Sequence, residues 1–202
     1  MVEEVAKAGQ GDDPLSGDGR RAGDLVGKSV LVSGCGPIGL LSILAARRAG
    51  ASDIIATDLS DFTLQKARDI GADHALNLAT HPDAMAPWQS GKGQIDVQFV
   101  CSGAPQAVAA GVKALRPQGT LIQLGLGGDM TLPMQAMTAK EITLKGSFRF
   151  HEEFATAVQL MQKRLINVAP LITQTFRLAD AVKAFDTAGD RSQAVKTQID
   201  FT

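Results

Sequence analysis

Gly34, Gly36 and Gly39 stand at the spacing GxGxxG within the run Gly34-Cys35-Gly36-Pro37-Ile38-Gly39, and a carboxylate, Asp58, follows nineteen positions after the third glycine. Glycines so spaced do three separate jobs. The first permits a tight turn, the second lets backbone approach a pyrophosphate, and the third lets a helix pack onto a strand. A helix starting at this turn aims its unpaired N–H groups and positive dipole end at the turn, so an anion is held there without a charged side chain. Pro37 suits the first helical turn, where its missing N–H has no helical partner to lose. An acid about 20 residues further on is at the distance that places a carboxylate over an adenosine ribose. The chemistry on offer is dinucleotide binding, provided that a strand precedes the turn and a helix follows it.

The flanking residues supply both. Val30, Leu31 and Val32 read as a short strand buried on both faces, as in a parallel sheet covered by helices. A helix over 38–49 and a strand over 53–57 then deliver Asp58. Phe62, Leu64, Ala67 and Ile70 predict a helix over 61–70, closed by Gly71 and followed by a third strand at 74–77. Pro82 and Pro87 make 81–93 an irregular helix and loop, in which Trp88 reads as a packing residue because no aromatic companions or basic cluster sit nearby. A fourth strand over 96–101 ends at Ser102-Gly103, and a helix over 105–115 stops before Pro117. A fifth strand over 119–124 opens into Gly125-Leu126-Gly127-Gly128, and a sixth spans 142–148.

The expected fold is therefore α/β: a Rossmann-like, doubly wound, six-stranded parallel sheet with its ligand outside the carboxyl ends of the strands. The loops at Gly34, Asp58, Ser102 and Gly125 all fall at those ends. Beyond Arg149 an amphipathic 154–165, an extended 170–176, a helical 179–188 and an alternating 195–201 have no place in that sheet and read as part of a second layer.

Composition narrows the function classes. With 202 residues, 45% hydrophobic and 20% charged, the chain has room for one well-cored domain and an appendage. A formal net charge of −1 argues against a nucleic-acid or anionic-membrane surface. No apolar run reaches the roughly 18 residues of a membrane span and the N-terminus has no apolar signal core, so no membrane contact and a cytoplasmic location are expected. Residues 1–24, rich in glycine and charge, read as a flexible or atypical lead-in. Cys35 and Cys101 have no ligand spacing and read as small packing residues. His74, His81 and His151 are scattered without an HxxxH or CxxC companion, so no metal site is expected and no catalytic residue is nominated. The chain contains no tyrosine, which excludes short-chain dehydrogenase chemistry, where a tyrosine is the general acid or base.

The glycine turn with Pro37-Ile38-Gly39-Leu40, then Gly71-Ala72-Asp73, the stretch 96–103, Arg116-Pro117-Gln118-Gly119 and the closing 190–201 occur in the order found in the medium-chain, zinc-type alcohol dehydrogenase family, which the chain resembles over about residues 20–202. Lys140-Glu141-Ile142, Gly146-Ser147-Phe148-Arg149-Phe150 and Ala188-Gly189-Asp190 resemble its polyol branch, the sorbitol and L-idonate 5-dehydrogenases. The resemblance implies hydride transfer from a secondary alcohol to NAD. It implies that Gly34, Gly36, Pro37, Ile38 and Gly39 line the pyrophosphate, that Asp58 holds the adenosine ribose hydroxyls, and that Ser102 and Gly103 flank the adenine side. Gly125, Leu126, Phe148 and Arg149 would approach the nicotinamide end, with a surface salt bridge the alternative for Arg149. An acid at position 58 repels a 2′-phosphate and no arginine follows within 59–65, so NAD is favoured over NADP.

The resemblance also has a gap. Members of this family begin with a barrel-like catalytic domain that supplies the zinc ligands, and no counterpart of it precedes the glycine turn here. The expected division is a lead-in over 1–24, a dinucleotide-binding domain over 25–165 and, over 166–202, the C-terminal segment of an incomplete catalytic domain. Such a chain binds cofactor and lacks the Lewis acid that polarises an alcohol oxygen. Relatives of this kind pair edge to edge, which implies a homodimer through the strand 142–148, with Ile142 and Leu144 at its centre. Two rival readings stand beside this one. The first is an S-adenosylmethionine-dependent methyltransferase, whose GCGxG loop resembles Ser33 to Gly36 but usually carries an acid where Val32 stands. The second is a non-catalytic cofactor-binding or assembly module.

Overall fold

The computed structural model describes residues 25–150 and 153–202. The expectation for 1–24 and the reading of His151 lie outside the described residues. Six strands, β1 (Ser29–Ser33), β2 (Asp53–Asp58), β3 (His74–Asn77), β4 (Ile95–Val100), β5 (Leu115–Gln123) and β6 (Thr143–Gly146), form one sheet in the order β3-β2-β1-β4-β5-β6. Every neighbouring pair is parallel. The expected α/β, six-stranded architecture is thus the observed one. Its strand order reverses direction between β1 and β4, and open α/β sheets open a ligand crevice at that switch point.

Both faces of the sheet are covered, and the strand residues show why. Val30, Val32, Ile54, Ala56, Val97 and Phe99 pack with Leu40, Ile43 and Leu64 of helices α1 (Pro37–Arg48) and α2 (Asp61–Asp69). Their neighbours Leu31, Ile55, Val100 and Leu121 pack on the opposite side with Val108 and Val112 of α4 (Pro105–Ala114), while Met85 just precedes the one-turn helix α3 (Ala86–Gln89). Alternate strand residues point to opposite faces, so a continuous apolar run fills two cores at once.

The structure departs from the sequence expectations in three places. The Arg116-Pro117-Gln118-Gly119 corner lies inside β5, where the pairing with β4 jumps from Ile95↔Leu115 to Val97↔Thr120. Pro117 has no N–H to give a ladder, so the strand bulges around it, with Gln118 at φ 61°. The six-residue helix α5 (Met134–Ala139) has no counterpart in the sequence reading, being too short to show a period. The sixth strand is four residues rather than seven, because the Ile142 N–H is taken by the Met137 carbonyl at the end of α5. The irregular helix and loop expected over 81–93 is the single turn of α3 set among turns.

After β6, helix α6 (Glu153–Gln162) has no buried residue. Strands β7 (Ile172–Arg177) and β8 (Lys196–Asp200) form a separate parallel pair, with helix α7 (Ala181–Gly189) between them in sequence. Leu171 and Val195 join this part to the core beneath α1 and α2, yet Val182, Phe185 and Phe201 are all more than 70% exposed. Two strands make a sheet of marginal stability by themselves.

At the amino ends of the strands, Asp96 ties β1, β4 and β5 together. Its Oδ2 accepts from the Ser29 N–H at 2.9 Å and its Oδ1 from Arg116 Nε at 2.6 Å, with Lys28 Nζ at 3.8 Å. Burial alone would push this carboxyl up, but the Ser29 N–H and the Arg116 guanidinium hold it below the ordinary carboxylate value. A depressed folded-state value means that the contribution is complete above the unfolded pKa, near 3.9, and is lost as pH falls through the folded value. Asp96→Ala should therefore lower stability by about 1–3 kcal/mol at neutral pH and flatten the acid limb of the stability curve, measured by urea unfolding across pH 2–7. An unchanged acid limb would show that Asp96 is not one of its sources.

Candidate functional site

The chain leaves β1 at Gly34, whose N–H donates to the Thr57 carbonyl at 2.8 Å, so the turn hangs on the end of β2. Gly34 has φ +95°, and a Cβ there would lie 2.9 Å from the Ser102 N. Both the backbone conformation and the neighbour demand glycine. Gly39 has a different reason. A Cβ on it would sit 1.8 Å from the Gly34 carbonyl oxygen, because the first turn of α1 packs directly onto the glycine turn. Gly36 has neither reason. Its φ of −68° and ψ of −173° suit any residue, and a Cβ there would meet nothing within 4 Å. Among the described residues, that side of Gly36 is open space.

Gly36 is also the N-cap of α1, a position without a capping side chain, and Pro37 occupies the first helical turn. No acidic residue stands in that turn. A twelve-residue helix thus presents uncapped N–H groups and its positive end next to open space. Ile38 in the same turn is 45% exposed.

Asp58, at the end of β2, faces this turn. Its Oδ2 accepts the Cys35 N–H at 2.5 Å, and its Oδ1 accepts the Leu59 and Ser60 N–H groups at 2.7 and 3.0 Å. A carboxylate offers about four acceptor directions, so one on Oδ2 is left. The bond from Cys35 to Asp58 has no sequence signal except the parallel pairing of β1 with β2, which brings the ends of the two strands side by side. Cys35 is itself buried, with its thiol directed at the Thr57 carbonyl, and burial followed by the Asp58 charge pushes its pKa far up. Burial raises the Cys101 thiol to about 12 despite a contact with Ser42 Oγ. Both cysteines are inert packing residues, as their sequence setting suggests.

On the other side of the turn, the Cys101 and Ser102 N–H groups both donate to the Ser33 carbonyl, at 2.8 and 3.0 Å. Ser102 Oγ is buried and has no hydrogen-bond partner among the described residues. Gly103 and Gly125 lock two loops together. A Cβ on Gly103 would lie 2.4 Å from the Leu126 carbonyl oxygen, and one on Gly125 would lie 2.4 Å from the Ser102 carbonyl oxygen. Leu126 is left 77% exposed on the rim.

The structure therefore brings Gly34, Gly36, Pro37, Gly39, Asp58, Ser102, Gly103, Gly125 and Leu126 to one connected rim at the carboxyl ends of β1, β2, β4 and β5. Phe148 and Arg149 follow β6, two strands from β4. There Arg149 adopts φ +66° and its guanidinium lies 4.9 Å from the Phe148 ring centre, which is 62% exposed as a residue. Leu59, 70% exposed beside Asp58, is a rim residue to which no sequence signal pointed. The arrangement can receive an elongated ligand with an anionic centre at the α1 N-terminus and a hydrogen-bond donor at Asp58. Gly71-Ala72-Asp73 serves the scaffold instead: Arg47 at the end of α1 donates to the Gly71 carbonyl at 2.7 Å and to Asp73 at 2.5 Å.

Among the described residues no three His, Cys, Asp or Glu side chains come together as a metal site. His74 Nε2 lies 3.4 Å from Asp53 and its ring packs edge-on against Trp88 at 5.0 Å, while His81 Nδ1 pairs with Thr80 at 2.9 Å.

Comparison with known proteins adds a lineage to this geometry. The zinc-binding dehydrogenase family model matches residues 37–163. L-idonate 5-dehydrogenase (NAD(P)(+)) of Escherichia coli K12 is 40% identical over 182 residues, 90% of this chain and 52% of that protein. Its crystal structure superposes with a TM-score of 0.83 over 89% of this chain and 52% of that chain. Bovine sorbitol dehydrogenase is 38% identical over 173 residues, covering 84% and 49% of the two chains. A crystal structure of an alcohol dehydrogenase (rspB) from E. coli CFT073 complexed with NADH, 25% identical, gives a TM-score of 0.78 over 87% of this chain and 52% of that one. The chain spans about half the length of the curated relatives it matches. None of these comparisons supports the methyltransferase alternative. With more than half of its residues matched by the family model, the chain belongs to the zinc-binding dehydrogenase family.

Proposed function

We propose that the chain is the NAD-binding coenzyme domain of a polyol or secondary-alcohol dehydrogenase, with residues 25–165 forming the dinucleotide-binding domain and 166–202 belonging to a catalytic domain. The observation that carries this reading is the empty side of Gly36: a glycine whose backbone and protein neighbours do not require one, at the uncapped N-terminus of α1 and next to Asp58. The need for glycine there comes from something outside the described residues, and a pyrophosphate supplies it. The orphaned Ser102 hydroxyl on the same rim supports a polar occupant.

In this reading Gly34, Gly36, Pro37, Ile38 and Gly39 hold the pyrophosphate by backbone N–H groups. Asp58 accepts from the adenosine ribose through its remaining Oδ2 direction. Ser102 and Gly103 border the adenine side, and Gly125, Leu126, Phe148 and Arg149 border the nicotinamide end. The bound nicotinamide supplies the hydride acceptor for a secondary alcohol. The described residues offer no ligand set that fits zinc, so the reading stops at cofactor binding. No helix among them is long and apolar enough to cross a membrane, and we place the chain in the cytoplasm.

Asp58 also sets the preference for NAD over NADP, since a carboxylate repels a 2′-phosphate at the ribose. Calorimetric titration of the chain and of Asp58→Ala with NAD, NADP and S-adenosylmethionine tests this. The expected result is NAD binding alone in the parent chain, weakened about 10- to 100-fold by the substitution. Equal affinity for NADP in the parent chain would contradict the role given to Asp58.

The same reading includes a homodimer through the edge strand 142–148. Among the described residues strand β6 ends the sheet, paired with β5, and its Leu144 is 44% exposed. A strand at the end of the sheet that carries an exposed leucine is a template for a second copy of itself. Light scattering at micromolar concentration should give twice the chain mass, and a monomer mass would remove the dimer from the proposal.

A further inference from the structure

Gln98 lies in the middle of β4 with none of its surface exposed, among the apolar strand residues Val97, Phe99 and Val100. Its Nε2 donates to Ser33 Oγ at 2.9 Å and to the Ala107 carbonyl at 3.0 Å. The Ala107 carbonyl can only accept, so the amide nitrogen must face it. The oxygen, Oε1, is left buried with no hydrogen-bond partner among the described residues. Gly111 on α4 makes room for the amide, since a Cβ there would lie 1.8 Å from Oε1.

The two acceptors are informative. Ser33 is the residue immediately before Gly34, and its carbonyl already receives the Cys101 and Ser102 N–H groups. Ala107 lies in the first turn of α4, just after Ser102-Gly103. One buried amide thus links the root of the glycine turn to the root of the Ser102-Gly103 loop. For burial alone, an apolar side chain would serve β4 better, because it would leave no unpartnered oxygen in the core.

We infer that Gln98 is a positioning residue for the dinucleotide site, holding the glycine turn and the Ser102-Gly103 loop at a fixed separation through Ser33 and α4. This rests on the NAD-binding reading of the same rim. Gln98 touches no ligand; it acts through the two loops that do.

Gln98→Met keeps the length of the side chain and removes both donors and the orphaned oxygen. A purely structural glutamine and a positioning one then give different results. For positioning, the thermal midpoint holds or rises, while hydrogen exchange at the Gly34, Cys101 and Ser102 amides of the ligand-free chain speeds up about fivefold, and NAD binds about five- to tenfold more weakly. Ser33→Ala, which removes one of the two acceptors, should speed exchange at the same three amides, and the double variant should be no worse than Gln98→Met. A fall in thermal midpoint with exchange accelerated throughout the sheet, or unchanged exchange at those three amides, overturns the inference. If the parent chain fails to bind NAD, the functional reading falls, and the exchange data still decide whether Gln98 orders the two loops.

Discussion

Gly39→Ala should destabilise the chain by about 3 kcal/mol or more and abolish dinucleotide binding. The added methyl carbon would sit 1.8 Å from the Gly34 carbonyl oxygen, well inside any tolerated contact, and the atom it meets is backbone. No rotamer change relieves such a clash. Either α1 lifts from β1, uncovering Leu40 and Ile43 in the core, or the glycine turn swings away from Thr57 and Asp58. Both moves undo the site, so stability and binding should fall together. Urea unfolding monitored by circular dichroism reads the first and NAD titration the second; a variant of normal stability that still binds would mean that the turn is far softer than its contacts indicate.

Gly36→Val should leave stability close to that of the parent chain. The φ of −68° and ψ of −173° at Gly36 are extended backbone that a branched residue adopts without strain, and nothing lies within 4 Å of its added Cβ. Replacing glycine at such a position restricts the unfolded chain, a gain of about 0.4–1 kcal/mol when the native geometry accepts the new residue, and the poorer N-cap that valine makes offsets it by a similar amount. Binding should nevertheless weaken by a hundredfold or more, roughly the effect of placing an isopropyl group where backbone must touch a pyrophosphate. On the proposed reading two glycines three positions apart serve different masters: Gly39 answers to the fold, Gly36 to the ligand.

Much of this was legible from residue types alone. Glycine spacing, the apolar run before it and the acid nineteen positions after it identify the β1-α1-β2 unit, and that unit is where propensity and burial agree. The failures have physical causes. The bulge at Pro117 depends on how β5 pairs with β4, a long-range register that no local pattern reports. Helix α5 is six residues long, shorter than the two turns over which a helical period becomes visible. The sequence of α6 is amphipathic, yet none of its residues is buried, because a periodic apolar face states what a helix can cover and not what it meets. At the site, the glycines looked alike in sequence; only the neighbours of each show which one the protein itself requires. Gln98, a polar letter in the mostly apolar interior of β4, carries no motif at all.

The paired measurement on Gly36→Val tests the central claim most directly: a thermal melt and an NAD titration on the same preparation, beside the parent chain. The expected result is a midpoint close to that of the parent together with loss of NAD binding, which would place the need for glycine in the ligand. A variant that melts normally and binds NAD as the parent does would contradict it, because the open side of Gly36 would then not be where the pyrophosphate lies.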